Sequence, residues 1–215
     1  MKKAVLFLNG KPPQRSEIDA VFADPSVVLV FCTDGAYSYL LPHLPDTVVG
    51  DFDSVSRSRI RSGVEIISFG VEKDYTDGYL AMKILLERGY TDIDVYGAYG
   101  GRPDMQESNY TLLALALKKG ARARFCGKQT AFLCNDSLSC TLKKGARFSL
   151  VPFTDTVHIV YTKGLKYALT DYTMHKFDDV DSPDYVMGVS NEATGTEDVQ
   201  VAVSEGIALV FAETE

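Results

Sequence analysis

The chain has 215 residues, 46% of them hydrophobic and 24% charged, with a formal net charge of -7. This balance excludes disorder, a fibrous repeat and a membrane span, and an acidic chain without a basic block lacks the electrostatic footprint of a nucleic-acid binder. The length suits one larger and one smaller domain.

The apolar run Ala4–Leu8 behind Lys2 and Lys3 stops at Asn9-Gly10, too short for the core of a signal peptide, and reads as a first buried strand over 3–8. Further strands are predicted at 27–32, 47–49, 64–69, 93–98 and 121–125. Val27-Val28-Leu29-Val30-Phe31-Cys32 is apolar throughout, as expected of a strand covered on both faces. Between strands, Tyr79–Leu86 and Tyr110–Leu117 have helical length and composition, each closed by a glycine, Gly89 or Gly120. The pattern is α/β, a mostly parallel sheet flanked by helices.

After residue 128 the texture changes to short β-rich runs separated by turn residues, at 130–135, 137–142, 147–152, 157–161, 199–203 and 207–211. They predict a smaller antiparallel β-sandwich, so the domains are placed at 1–127 and 128–215. Thr170–Asp184, which carries Asp171, Asp178, Asp179, Asp181 and Asp184, reads as a surface loop.

Cys32, Cys126, Cys134 and Cys140 show no C-x-x-C spacing and read as reduced thiols of a cytoplasmic protein. His43, His158 and His175 lack ligand-spaced neighbours, which leaves zinc chemistry and a Ser-His-Asp site without support. Carboxylates must then carry the chemistry. In open α/β sheets ligands bind beyond the carboxyl ends of the strands, and the predicted strands put Asp34, Asp51, Asp53, Asp74, Asp77 and Asp104 there. Gathered on one rim, these groups would repel one another unless a hard divalent ion such as Mg2+ compensated them. In Gly50-Asp51-Phe52-Asp53-Ser54, an extended backbone would send both carboxylates to one face and Phe52 into the core.

Each aspartate has an alternative reading as a helix cap or turn residue, Thr76-Asp77 most of all. Lys73 and Arg102 are placed to contact phosphate, with Gly100-Gly101 allowing close backbone approach. Neither a G-x-x-x-x-G-K-[ST] loop nor a G-x-G-x-x-G fingerprint is present in the first unit, which argues against a P-loop kinase and a Rossmann dehydrogenase.

Thr33-Asp34-Gly35, Gly50–Ser54, Lys73-Asp74-Tyr75-Thr76-Asp77, Gly100–Asp104 with Asn109, Gly164–Tyr167 and Ser190-Asn191-Glu192 occur in an order that resembles thiamine pyrophosphokinase. The resemblance implies an ATP-binding catalytic domain over 1–127 and a thiamine-binding and dimerisation sandwich over 128–215. It implies a homodimer that shares its pocket between subunits and a Mg2+-dependent transfer of the pyrophosphoryl group of ATP to the thiamine hydroxyl. By that likeness Asp51, Asp53, Asp74, Asp77 and Asp104 are catalytic, with Asp51, Asp53, Asp74 and Asp104 as metal ligands. Asp34, Gly35, Lys73, Arg102 and Asn109 contact nucleotide or phosphate, and Ser190 and Asn191 contact thiamine.

The chain departs from the family pattern at Ala36, Ser38 and Met105, all expected on the active rim. Two alternatives stay open: a pyrophosphokinase for another hydroxymethyl heterocycle such as a pterin, and a thiamine- or nucleotide-binding protein without turnover.

Overall fold

The computed structural model describes residues 3–70, 74–177 and 185–213. It divides into two compact units, residues 1–127 and 128–215.

In the first unit, β1 (Lys3–Phe7), β2 (Val27–Thr33), β3 (Thr47–Gly50), β4 (Glu65–Ser68), β5 (Asp92–Tyr96) and β6 (Arg122–Phe125) run parallel in the order β6-β5-β1-β2-β3-β4. Helices α1 (Arg15–Ala23), α2 (Asp34–Leu40), α3 (Asp77–Glu87) and α4 (Pro103–Lys118) connect them. Ala4 to Phe7 are fully buried, which an apolar central strand requires when both faces are covered. On one face Val5, Phe7, Val30, Cys32 and Val48 pack with Ile18, Val21, Ala36, Tyr37 and Leu40. The chain leaves β1 toward β2 and leaves β5 toward β6, in opposite directions from neighbouring strands, and so opens a crevice at their carboxyl ends.

The glycine stops hold. Gly89 and Gly120 have φ of 82° and 71°. The following amides, Tyr90 and Ala121, bond back to Leu85 and Ala116, closing each helix in a left-handed cap. The helices begin earlier than their apolar runs, so Asp77 and Asp104 lie in first turns rather than in loops. Helices α1 and α2 were not anticipated. The backbone N–H of Gln14 donates to Glu17 Oε2 at 2.6 Å to start α1, and the short α2 is stabilised by burying Ala36, Tyr37 and Leu40, a tertiary effect that propensity does not reveal.

In the second unit β7 (Thr130–Cys134), β9 (Arg147–Pro152), β12 (Asn191–Glu192) and β14 (Ala208–Ala212) form antiparallel pairs in the order β12-β9-β14-β7. A separate antiparallel sheet runs β11 (Thr170–His175), β10 (Thr156–Lys163), β13 (Val199–Glu205), β8 (Ser137–Cys140). Phe148, Leu150 and Val210 of the first set share a core with Val157, Ile159, Met174, Val199 and Val201 of the second. The surface-loop reading of Thr170–Asp184 is corrected over Thr170–His175, which pairs with β10 as an edge strand whose outward polar residues hid it. Asp178, Asp179, Asp181 and Asp184 lie outside the described residues. Among the described residues no helix is long and apolar enough to cross a membrane.

Candidate active site

The carboxyl ends of β1, β2, β3 and β5 and the start of α3 enclose a cavity of about 280 Å3. Its lining includes Asn9 and Gly10 after β1, Thr33 and Asp34 after β2, Asp51, Asp53 and Ser54 after β3, Thr76 and Asp77 at α3, and Gly100, Arg102, Met105 and Asn109 after β5. Close backbone approach shapes the crevice between β1 and β5: Gly10 N–H donates to Gly97 O at 2.9 Å, and a Cβ on Gly10 would lie 2.3 Å from that oxygen.

One carboxylate oxygen each from Asp34, Asp51 and Asp53 lies within 4.8 Å of the other two. Asp34 is only 4% exposed; its Oδ1 accepts the Gly35 N–H at 2.6 Å, while its Oδ2 is buried without a hydrogen-bond partner. Burial raises its pKa, with the charges of Asp77 and Asp53 adding in the same direction against the Gly35 and Ser54 backbone bonds. Gly50 makes room for it, since a Cβ there would sit 2.8 Å from Asp34 Cγ. The spacing, the all-oxygen donor set and the orphaned buried oxygen fit a hard divalent cation, whose ligand oxygens stand about 2.0–2.6 Å from the ion.

The Asp51-Asp53 pair reaches the cavity by a different route from the one expected. Phe52 has φ of 65°, so the segment is a left-handed turn and not an extended strand end. Phe52 does pack against the core of this unit. Asp53 N–H donates to Asp51 Oδ1 at 3.2 Å and Ser54 Oγ to Asp53 Oδ1 at 2.8 Å, which orders the two carboxylates.

Thr76 caps α3 by accepting the Tyr79 N–H at 3.1 Å, which leaves Asp77 in the first turn facing the cavity. Arg102 lines the cavity, but its guanidinium holds Asp104 through bonds of 3.1 and 2.5 Å. That bond lowers the pKa of Asp104 and raises that of Arg102. Of the six carboxylates expected on the rim, Asp34, Asp51, Asp53 and Asp77 line the cavity, while Asp74 and Asp104 are exposed and outside its described lining. Lys73 lies outside the described residues. Asn109 Nδ2 donates to Ala98 O at 2.8 Å, which ties α4 to the strand end behind the cavity.

Of the departures from the family pattern, only Met105 lines the cavity. The expectation that Ala36 and Ser38 also sit on the rim is corrected: Ala36 is fully buried in the core and Ser38 faces solvent, and neither lines the cavity. In the second unit the Asn191 side chain braces a turn: Oδ1 accepts Tyr167 N–H at 3.1 Å and Nδ2 donates to Tyr167 O at 2.7 Å. Ser190 is exposed in a left-handed conformation, φ 58°.

Sequence reasoning missed Asn9, Gly10, Thr33, Ser54 and Gly78 as lining residues; it counted Asp34 on the carboxylate rim but assigned it to the nucleotide and not to the metal ligands. The strand-end rule that found the aspartates applies equally to Asn9-Gly10 after β1, and was the available signal.

Residues 25–125 match the family described as Thiamin pyrophosphokinase, catalytic domain, and residues 137–208 match Thiamin pyrophosphokinase, vitamin B1 binding domain. A thiamine pyrophosphokinase of Bacillus subtilis (strain 168) is 30% identical over 135 residues, a match that spans 60% of this chain and 63% of that relative. The crystal structure of thiamine pyrophosphokinase from Bacillus subtilis superposes with a TM-score of 0.80 at 21% identity, covering 99% of both chains. The yeast thiamin pyrophosphokinase structure gives 0.77 at 17% identity, covering 99% of this chain and 86% of that one. At these identities the structural likeness shows the fold.

Proposed function

The chain belongs to the thiamin pyrophosphokinase family, and on that premise we propose that it transfers the pyrophosphoryl group of ATP to the hydroxyl of thiamine, releasing thiamine diphosphate and AMP. The observation that carries this reading is the cluster of Asp34, Asp51 and Asp53 at the strand ends of the unit matched by the catalytic-domain family.

Asp34, Asp51 and Asp53 would hold a divalent ion, for which we propose Mg2+. When bound, such an ion neutralises phosphate oxygens and stabilises charge that develops during transfer. The residues around it supply positioning. Asn9, Gly10 and Gly100 present backbone and amide groups at the crevice where the phosphates are proposed to lie. Arg102 is the cation of the described lining, and the bond to Asp104 orients it. A carboxylate of the lining is proposed to orient the hydroxyl and take its proton.

Metal or catalytic roles for Asp74 and Asp104, phosphate contacts by Lys73, and nucleotide contacts by Gly35 and Asn109 are proposed on the resemblance alone. In the second unit Ser190 is proposed to face the acceptor, and the Asn191 bonds to Tyr167 support the turn that presents it. The enzyme is proposed to be a cytoplasmic homodimer.

The test is incubation with Mg2+-ATP and thiamine, with nucleotides and thiamine diphosphate separated chromatographically. Equal amounts of AMP and thiamine diphosphate are expected. Release of ADP, or nucleotide turnover indifferent to thiamine, would overturn the reading, and AMP release with a pterin alcohol in place of thiamine would redirect it.

A further inference from the structure

The turn that carries Asp51 and Asp53 has an unfavourable centre. A bulky side chain at φ 65° is rare because Cβ crowds the backbone there, so something outside the turn must hold Phe52 in place. Two contacts do. The half-buried Phe52 ring packs against the core cluster that contains Val48 and Val55, and the guanidinium of Arg57 stacks over its outer face, 5.0 Å from the ring centroid. Arg57 also donates to Ser68 Oγ at the end of β4, so the cation is anchored to the sheet at one end and to the ring at the other. Arg57 itself is exposed, and the contacts described for it are the Phe52 ring and Ser68 Oγ.

We propose that Arg57, acting through the Phe52 ring, is a positioning residue that holds the left-handed turn and so keeps the carboxylates of Asp51 and Asp53 within ligand distance of Asp34. The idea rests on the divalent-ion reading of that cluster. A cation over an exposed ring face stabilises the ring's placement modestly, and two carboxylates on a loosened turn must be reordered before they share an ion.

The experiment titrates the full chain with Mn2+ alone, by calorimetry, for wild type, Arg57→Ala, Arg57→Lys, Phe52→Gly and the double variant. Arg57→Ala is expected to weaken Mn2+ binding roughly threefold to fivefold, the size of an exposed cation–π contact. Arg57→Lys should recover part of the loss. Phe52→Gly keeps the left-handed backbone accessible but removes the ring, and is expected to weaken binding at least as much. Adding Arg57→Ala to Phe52→Gly should then change nothing further, because the cation has lost what it acts through.

Unaltered Mn2+ affinity in Arg57→Ala, or an equal second loss in the double variant, overturns the proposal while the divalent-ion reading survives. Absence of Mn2+ binding by the wild-type chain overturns both. Melting in chelator separates misfolding from mispositioning: Arg57→Ala is expected to unfold at the wild-type temperature, and a large drop there with unchanged ion affinity would mark a merely structural residue.

Discussion

Two aspartates of the same parallel sheet are almost equally buried, and their surroundings are opposite. Asp94, in the middle of β5, is 3% exposed and meets Lys3 Nζ at 2.8 Å and Arg124 Nε at 2.5 Å. Asp34, just past β2, is 4% exposed and has Asp51 and Asp53 for neighbours, with one oxygen left without a hydrogen-bond partner. A buried carboxylate is tolerable when paired and costly when surrounded by like charge. Asp94 is thus matched by cations of its own chain, whereas Asp34 is gathered with other carboxylates and keeps one buried oxygen unbonded, an oxygen a bound cation would satisfy. Burial alone does not mark a functional carboxylate; the sign of its neighbours does.

The two sites should respond to mutation in opposite ways. Asp51→Asn removes a clustered carboxylate and is expected to lower kcat/KM for thiamine-dependent AMP release about 1000-fold, comparable to losing a group that stabilises transition-state charge. Asp94→Ala leaves Arg124 without this counter-charge and Lys3 with only the more distant Asp24, at 3.6 Å, and urea unfolding should show a loss of about 3 kcal/mol, tempered because Arg124 is partly exposed. Turnover per folded molecule should be unchanged. The contrast is broken if Asp94→Ala abolishes turnover or Asp51→Asn leaves it intact.

Much of this was legible in the residues. Apolar strands such as Val27–Cys32, and glycine stops such as Gly89, announce themselves because local chemistry decides them. Asp51 and Asp53 stood out as a pair after a strand. Helix α2 did not, since its stability comes from burying Tyr37 and Leu40 against a sheet assembled from distant segments. The turn at Phe52 was misread for a related reason: nothing local favours a left-handed phenylalanine, and the core beneath it and Arg57 above it are tertiary facts. The bonds from Arg102 to both oxygens of Asp104, at the start of α4, were not legible either, since a pairing between side chains two residues apart depends on the local fold.

A smaller effect probes the space around Asp34. Gly50→Ala would place a Cβ 2.8 Å from Asp34 Cγ, so the carboxylate or the strand end must shift. The expected cost is about 1–2 kcal/mol of stability, as for overpacking elsewhere, together with weaker divalent-ion binding. An alanine variant that binds Mn2+ like wild type would show that Asp34 is not held as tightly as the cluster geometry implies.

The smallest effect belongs to the satisfied site. Burial pulls the Lys3 ammonium toward deprotonation, but the bond and charge of Asp94 outweigh it and hold the Lys3 pKa above its ordinary value of 10.5. A proton held more tightly in the folded chain than in the unfolded one stabilises the fold in full below the unfolded pKa. That contribution fades as pH rises through the folded pKa. Urea midpoints followed upward from about pH 9 should therefore fall more steeply in wild type than in Lys3→Met, whose side chain has no proton to lose. Equal slopes would mean that Arg124 alone satisfies Asp94 and that the ammonium contributes nothing, which would narrow the contrast with Asp34 from two compensating cations to one.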